Sequence, residues 1–527
     1  MKKLSASILV AATIAPIATM AADKRPNILF CIADDATFHH FSKAGCQWVN
    51  TPNFDRVAND GIFFDGCYTP NAKSAPSRAI LLTGRYSWQL AEAGNHNGNF
   101  PLDTKVFTEV LSEEGYDVAY TGKSWAPGFP GMVDGKLRQL TGEPYLEHKY
   151  EVPTSKISPI DYASNFKDFL DDNGGDKPWF FWFGSMEPHR AYEFESGVKL
   201  GNKSIDMIDE VPPYWNDNET VRKDMLDYAF EIEYFDAQIG KLLDELESRG
   251  ELDNTIVIIT SDNGMPFPRC KANNYEYSTH MPLAIMWNKG LKSGGRTVED
   301  YVSFIDIAPT VLEAAEVQPA GMKAITGKSL MPIIKNKATD TEREDRKVVY
   351  FGRERDDYGR PANQGYPIRA VMRDDIIYIH NIKPLLYPAG NPETGYLDVD
   401  GSPTKTDILT QHRQGGESKM WQLSMGFRPE VELYDLSTDK YCVNNLASDP
   451  AYATIKAELA ELLHKRLTET HDPRLGVDGD HFDRYNFIAP ACWNFYERVV
   501  SGELKEPWNQ TGWVSPTDYE QHPANFK

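Results

Sequence analysis

A chain of 527 residues, 41% hydrophobic and 25% charged, has the length and composition of one large folded domain with a smaller one beside it. Its net charge of −22, with no basic tract to offset it, argues against nucleic acid as a partner. Six cysteines with no Cys-x-x-Cys spacing argue against a zinc ribbon or a dithiol redox centre, and Cys31, inside an apolar run, reads as a small buried hydrophobe.

In chain order, residues 1–22 have two lysines, an apolar run over 8–18 and small residues before Ala21 and Ala22. This pattern predicts a cleaved signal peptide and export to a bacterial periplasm or beyond. The run is too short to span a bilayer, and no later segment is long enough. Residues 27–33 form a continuous apolar stretch, expected to be a strand buried on both faces, and end in Asp34-Asp35. A helix is predicted over 104–114, stopped by Gly115, then a strand over 116–121 followed by Gly122-Lys123. The strand predicted over 179–183 leads into Glu187-Pro188-His189. Over 220–249, Met225, Ala229, Ile232, Phe235, Ile239, Leu242 and Leu246 recur at three- and four-residue steps, an amphipathic helix ended by Gly250. A strand over 255–260 follows and ends in Ser261-Asp262-Asn263-Gly264.

Strand–helix alternation of this kind predicts an α/β fold, a mostly parallel sheet with helices on both faces. Ligands of such sheets bind beyond the carboxyl ends of the strands. Four predicted strand ends carry Asp34/Asp35, Lys123, His189 and Asp262/Asn263, so one site is expected at one sheet edge. After about Tyr366 the pattern changes to short alternating strands over 368–372, 376–379 and 432–436, with a helix over 452–469. The expected organisation is a signal peptide over 1–22, a catalytic domain over 23–365, a small antiparallel sheet with a helix over 366–480, and an aromatic-rich tail over 481–527 that docks on the body.

The stretch Ser74-Ala-Pro-Ser-Arg-Ala-Ile-Leu-Leu-Thr-Gly84 closely resembles the signature of the sulfatase family in its serine form. The resemblance implies an alkaline-phosphatase-like fold and conversion of Ser74 to Cα-formylglycine by a maturation enzyme before export. Unmodified serine is a weak nucleophile without an adjacent base. The hydrated aldehyde has two hydroxyls on one carbon, one to attack sulfur and one to expel the sulfate. Asp34, Asp35, Asp262 and Asn263 offer the hard oxygens that suit calcium, or magnesium in its place. The resemblance implies the same four as metal ligands, completed by the oxygen at position 74. Arg78 matches the signature arginine, which steadies the formylglycine. Lys123 and Lys271 match the basic residues that clamp sulfate oxygens, and His189 is a candidate acid for the leaving group. One departure stands out: Gly122-Lys123-Ser124-Trp125 has a tryptophan where many members of the family have a histidine near the diol.

Three local runs are similar to the sulfamidase (heparan N-sulfatase) branch: Glu187-Pro-His-Arg190, Asp262-Asn-Gly-Met-Pro-Phe-Pro268 and Tyr366-Pro-Ile-Arg369. They imply an exo-acting enzyme on an N-sulfated or O-sulfated sugar. The acidic surface also favours a local basic pocket for one terminal sugar over a groove for a polyanionic chain. Candidate sugar contacts are His96, Arg190, His280, Arg355 and Asp356. Two other readings stand beside this one: a phosphoester or phosphonate hydrolase of the same superfamily, and a glycan-binding protein with an unconverted Ser74.

Overall fold

The computed structural model describes residues 25–526 apart from 176, 292, 336–342 and 416–417, so the expected signal peptide lies outside the described residues. Eight strands form the large sheet: β1 (Asn27–Ala33), β2 (Ile62–Tyr68), β3 (Asp117–Gly122), β4 (Glu143–Pro144), β5 (Trp179–Gly184), β6 (Thr255–Ser261), β7 (Leu283–Met286) and β8 (Arg296–Ser303). Their order is β8-β2-β7-β6-β1-β5-β3-β4. β1 runs parallel to both of its neighbours, with Cys31 opposite Phe183 on one side and Ile259 on the other. Only β7 is antiparallel to the strands that flank it, so the sheet is mixed but mostly parallel.

Period-two alternation divides the central strands between two cores. Ile28, Phe30 and Ile32 face a core that includes Ala75, Ala79 and Ile80 of α1 (Ser74–Thr83). Leu29 and Cys31 face the other, which includes Met225, Ile232 and Phe235 of α2 (Glu219–Arg249). Cys31 is fully buried, as its setting in the sequence predicted, and all six cysteines are unpaired. The α2 helix begins where the Asn218 side chain accepts from the Val221 amide, and it ends at Gly250 in the left-handed conformation, φ 67°. The predicted helix over 104–114 forms over Phe107–Glu113.

A second, antiparallel sheet contains β9 (Val348–Arg353), β10 (Ile368–Arg373), β11 (Ile376–Asn381) and β12 (Val431–Asp435), in that order. The strand β9 precedes the part of the sequence in which alternation is visible. α3 (Ala453–Glu469) packs on this sheet. Within the tail, Phe487 and Phe495 pack with Tyr358 and Leu397. No helix among the described residues is long and apolar enough to cross a membrane.

Candidate active site

The carboxyl ends of β1, β3, β5 and β6 bring the predicted side chains together. Asp35, just past β1, has φ 77°. A non-glycine residue there carries local strain and persists because its surroundings hold it. Its backbone amide donates to Asp262 Oδ1 at 3.0 Å, and its Oδ1 accepts from Asn263 Nδ2 at 2.7 Å. At the end of β3, a side chain on Gly122 would lie 2.0 Å from the Gly184 carbonyl. Glycine therefore permits the close approach that lets the Lys123 amide donate to Gly184 O at 2.7 Å and aims the lysine over the sheet edge.

Ser74 is the first residue of α1 and only 1% exposed. Its Oγ donates to Asp34 Oδ1 at 3.0 Å and lies 3.5 Å from Asn263 Oδ1. Lys123 Nζ donates to Asp34 Oδ2 at 2.5 Å and to Ser74 Oγ at 3.2 Å. Arg78, one turn further along α1, donates through Nε to Asp262 Oδ2 at 2.9 Å. It also holds the carbonyls of Lys123 and Ser124. The amides at the start of α1 add partial positive charge beside Ser74, which suits a bound anion.

Lys271 Nζ lies 2.7 Å from Asp35 Oδ2 and 3.0 Å from Asp400 Oδ2. Arg269 and Ala272, on either side of it, both have positive φ. His189 Nδ1 donates to the Arg190 carbonyl at 2.6 Å, since a carbonyl can only accept. Its Nε2 therefore faces the acidic cluster, 3.8 Å from Asp35 Oδ2. Burial alone would raise the Asp34 carboxyl, but Lys123, His189, Arg78 and Lys271 outweigh it and hold Asp34 well below the usual range. Asp262, burdened first by burial and then by the Asp34 charge, is pushed up.

Three carboxylates, Asp34, Asp35 and Asp262, offer ligand atoms within 4.8 Å of one another. With the Asn263 amide oxygen and Ser74 Oγ beside them, the donor set is all oxygen and rich in negative charge. Such a set fits a hard cation such as calcium or magnesium.

Of the predicted sugar contacts, His96 borders this cluster, with Nδ1 3.7 Å from Asp357 Oδ1. The other four also have partners within the protein. Arg190 forms a two-pronged pair with Asp224 at 2.7 and 2.9 Å. His280 lies between Glu276 and the Asp65 carbonyl. Arg355 donates to the carbonyls of Asp483 and Tyr485 and so anchors the tail. Asp356 pairs with Arg353 at 2.8 Å. Its neighbour Asp357 is the acid that reaches the cluster, 3.4 Å from Lys73 Nζ. Lys73, Asp357 and Asp400 were not predicted from the sequence. Lys73 immediately precedes Ser74 and could have been found by adjacency, whereas nothing local marks the other two. Trp125 is buried, and its indole N–H donates to the Ala75 carbonyl at 2.8 Å.

A serine at a helix start, set among acids and lysines at the carboxyl edge of a mostly parallel sheet, fits the alkaline-phosphatase-like fold class. The family profile named Sulfatase matches residues 26–317, more than half of the chain, and the chain belongs to the sulfatase family. It is a sulfuric ester or sulfamide hydrolase. A second profile, N-sulphoglucosamine sulphohydrolase, C-terminal, matches residues 270–369. The N-sulphoglucosamine sulphohydrolase of Homo sapiens is 28% identical over 481 residues, covering 85% of this chain and 91% of that protein. An N-acetylglucosamine-6-O-sulfatase of Bacteroides thetaiotaomicron is 26% identical over 541 residues, covering 85% and 87%. A solved structure in complex with its substrate D-glucosamine-2-N,6-O-disulfate superposes with a TM-score of 0.61 at 24% identity, over 87% of this chain and 99% of that one. The phosphonate monoester hydrolase of Agrobacterium radiobacter superposes with 0.59 at 20% identity, over 86% and 97%. These two superpositions show the fold.

Proposed function

We propose that this sulfatase removes one sulfate from the non-reducing end of a sulfated glycan, with N-sulfoglucosamine the first substrate and a terminal O-sulfated sugar the second. The observation that carries the reading is the placement of Ser74 at the start of α1, within reach of Asp34, Asn263 and Lys123. The reading includes conversion of Ser74 to formylglycine by a maturation enzyme and export to the periplasm or beyond. Asp34, Asp35, Asp262, Asn263 and position 74 would hold a calcium ion, which would polarise a bound sulfate, and formylglycine at position 74 would supply the paired hydroxyls.

The chain's own residues do the rest. Lys123 and Lys271 both reach the acidic cluster, Lys123 at Asp34 and Lys271 at Asp35. Their ammonium groups would bind sulfate oxygens beside those acids. His189, oriented through Nδ1, presents Nε2 to give a proton to the departing oxygen or nitrogen. Trp125 cannot take a proton and instead buttresses the first turn of α1. The sulfamidase-like resemblance and the human N-sulphoglucosamine sulphohydrolase favour the N-sulfate.

Mass spectrometry of the Ser74 peptide from the native host tests the nucleophile, with loss of two hydrogens expected and intact serine counting against it. Sulfate release from defined mono- and disaccharides, alongside phosphate and phosphonate esters, tests the substrate. Release from internal residues alone would overturn exo action, activity confined to O-sulfates would overturn the N-sulfate assignment, and preference for phosphorus esters would overturn both.

A further inference from the structure

Away from the acidic cluster, His39, Glu276 and His280 place three ligand atoms within 4.8 Å of one another. His39 Nε2 lies 3.1 Å from Glu276 Oε1, and His280 Nδ1 lies 2.5 Å from the same oxygen. Donors bound at 2.0–2.1 Å around a tetrahedral ion are about 3.3 Å apart, so a small adjustment would seat one. Other contacts fix the rings. His280 Nε2 donates to the Asp65 carbonyl at 2.7 Å, which puts a proton on Nε2 and turns Nδ1 towards Glu276. This is the outer-shell support a metal-bound imidazole ordinarily has. The His280 ring stacks on Phe38 with centroids 3.9 Å apart, and His39 stacks on Tyr277 at 4.5 Å.

Two further observations point to a ligand. Glu276 is only 7% exposed, yet its Oε2 is buried without a hydrogen-bond partner. The three residues also line a cavity of about 390 Å³, whose wall carries five further carboxylates against three basic side chains. Such a cavity attracts cations.

We infer that His39, Glu276 and His280 form a second metal site, selective for zinc or a similar transition-metal ion, with its remaining coordination position open to the cavity. Two imidazoles and one carboxylate suit zinc, whereas calcium prefers an all-oxygen shell. His39 follows Asp35 by four residues, and Glu276 follows Lys271 by five. An ion here therefore ties together the two loops that carry those residues.

Zinc is titrated calorimetrically into the full chain with calcium in excess, for the parent protein and for His39→Ala, Glu276→Gln and Asp262→Asn. One zinc is expected in the parent and in Asp262→Asn, with affinity lowered at least about tenfold in the other two. Equal binding by the parent and His39→Ala overturns the inference, as does no binding by the parent. Loss of zinc in Asp262→Asn alone would place the ion in the acidic cluster and also overturn it. Zinc-edge X-ray absorption on the parent protein needs no variant. Scattering from two imidazoles is expected, and an oxygen-only shell would refute the assignment.

Discussion

The indole nitrogen of Trp125 lies 2.8 Å from the carbonyl oxygen of Ala75, the residue after Ser74. The tryptophan ring meets Phe100 edge-on, with centroids 5.1 Å apart. A position where many sulfatases have a histidine is thus occupied by a side chain that props the first turn of α1. Trp125→Phe keeps the ring and loses the N–H bond. Because the Ala75 carbonyl also accepts within α1, the stability cost should be about 1 kcal/mol. Trp125→Ala leaves a cavity and should cost about 3–5 kcal/mol. Thermal unfolding orders the variants, and kcat should fall by roughly tenfold or more in Trp125→Phe as the helix start shifts. Unchanged kcat would show that the buttress does not position Ser74.

Asp262 is a candidate metal ligand and also the partner of Arg78, with both side chains sealed from solvent. Alanine at 262 would leave a buried guanidinium without its charge partner, a loss on the order of 3–5 kcal/mol. Asp262→Asn preserves shape and one acceptor. It should retain the fold, shown by circular dichroism, and lose turnover to the same extent as chelation of the parent protein. Full activity in a chelated, metal-free sample would rule out the cation.

Lys123→Ala or Lys271→Ala should each lower kcat/KM by about a hundredfold or more, the scale of losing one transition-state donor. His189→Ala should harm substrates with poor leaving groups most, because these depend on protonation. Rates on an activated aryl sulfate and a sugar sulfate separate the roles. Equal losses on both would remove His189 as the leaving-group acid.

Burial, followed by the charge of Lys73, lowers His96 from its ordinary 6.5 to about 4, despite the opposing pull of Asp357. Between those values the unfolded chain binds a proton that the folded chain does not. The stability contributed by neutral His96 is therefore complete above about pH 6.5 and is lost as the pH falls towards 4. The amount is on the order of 3 kcal/mol. Urea unfolding from pH 7 to pH 4 should show a shallower decline for His96→Gln than for the parent. Parallel curves would sink this assignment.

The sequence by itself determined the layered α/β frame. Apolar runs such as Asn27–Ala33 and the three-and-four spacing of Glu219–Arg249 are periodic signals that burial imposes locally. It also determined six residues that meet at the sheet edge, Asp34, Asp35, Lys123, His189, Asp262 and Asn263, because strand ends in a parallel sheet share one side; Ser74, Arg78 and Lys271 were legible only through the family resemblance. Only tertiary structure decided the remainder. β9 lacks clear alternation because it is almost wholly buried, so its pairing with β10 leaves no period-two trace. Asp357 reaches Lys73 while Asp356 turns to Arg353, a choice between adjacent residues that composition cannot express. Asp400 meets Lys271 across 129 positions of chain, and His39 meets Glu276 across 237. Contacts of that span depend on how distant segments pack, and no local pattern of hydrophobicity or charge records it.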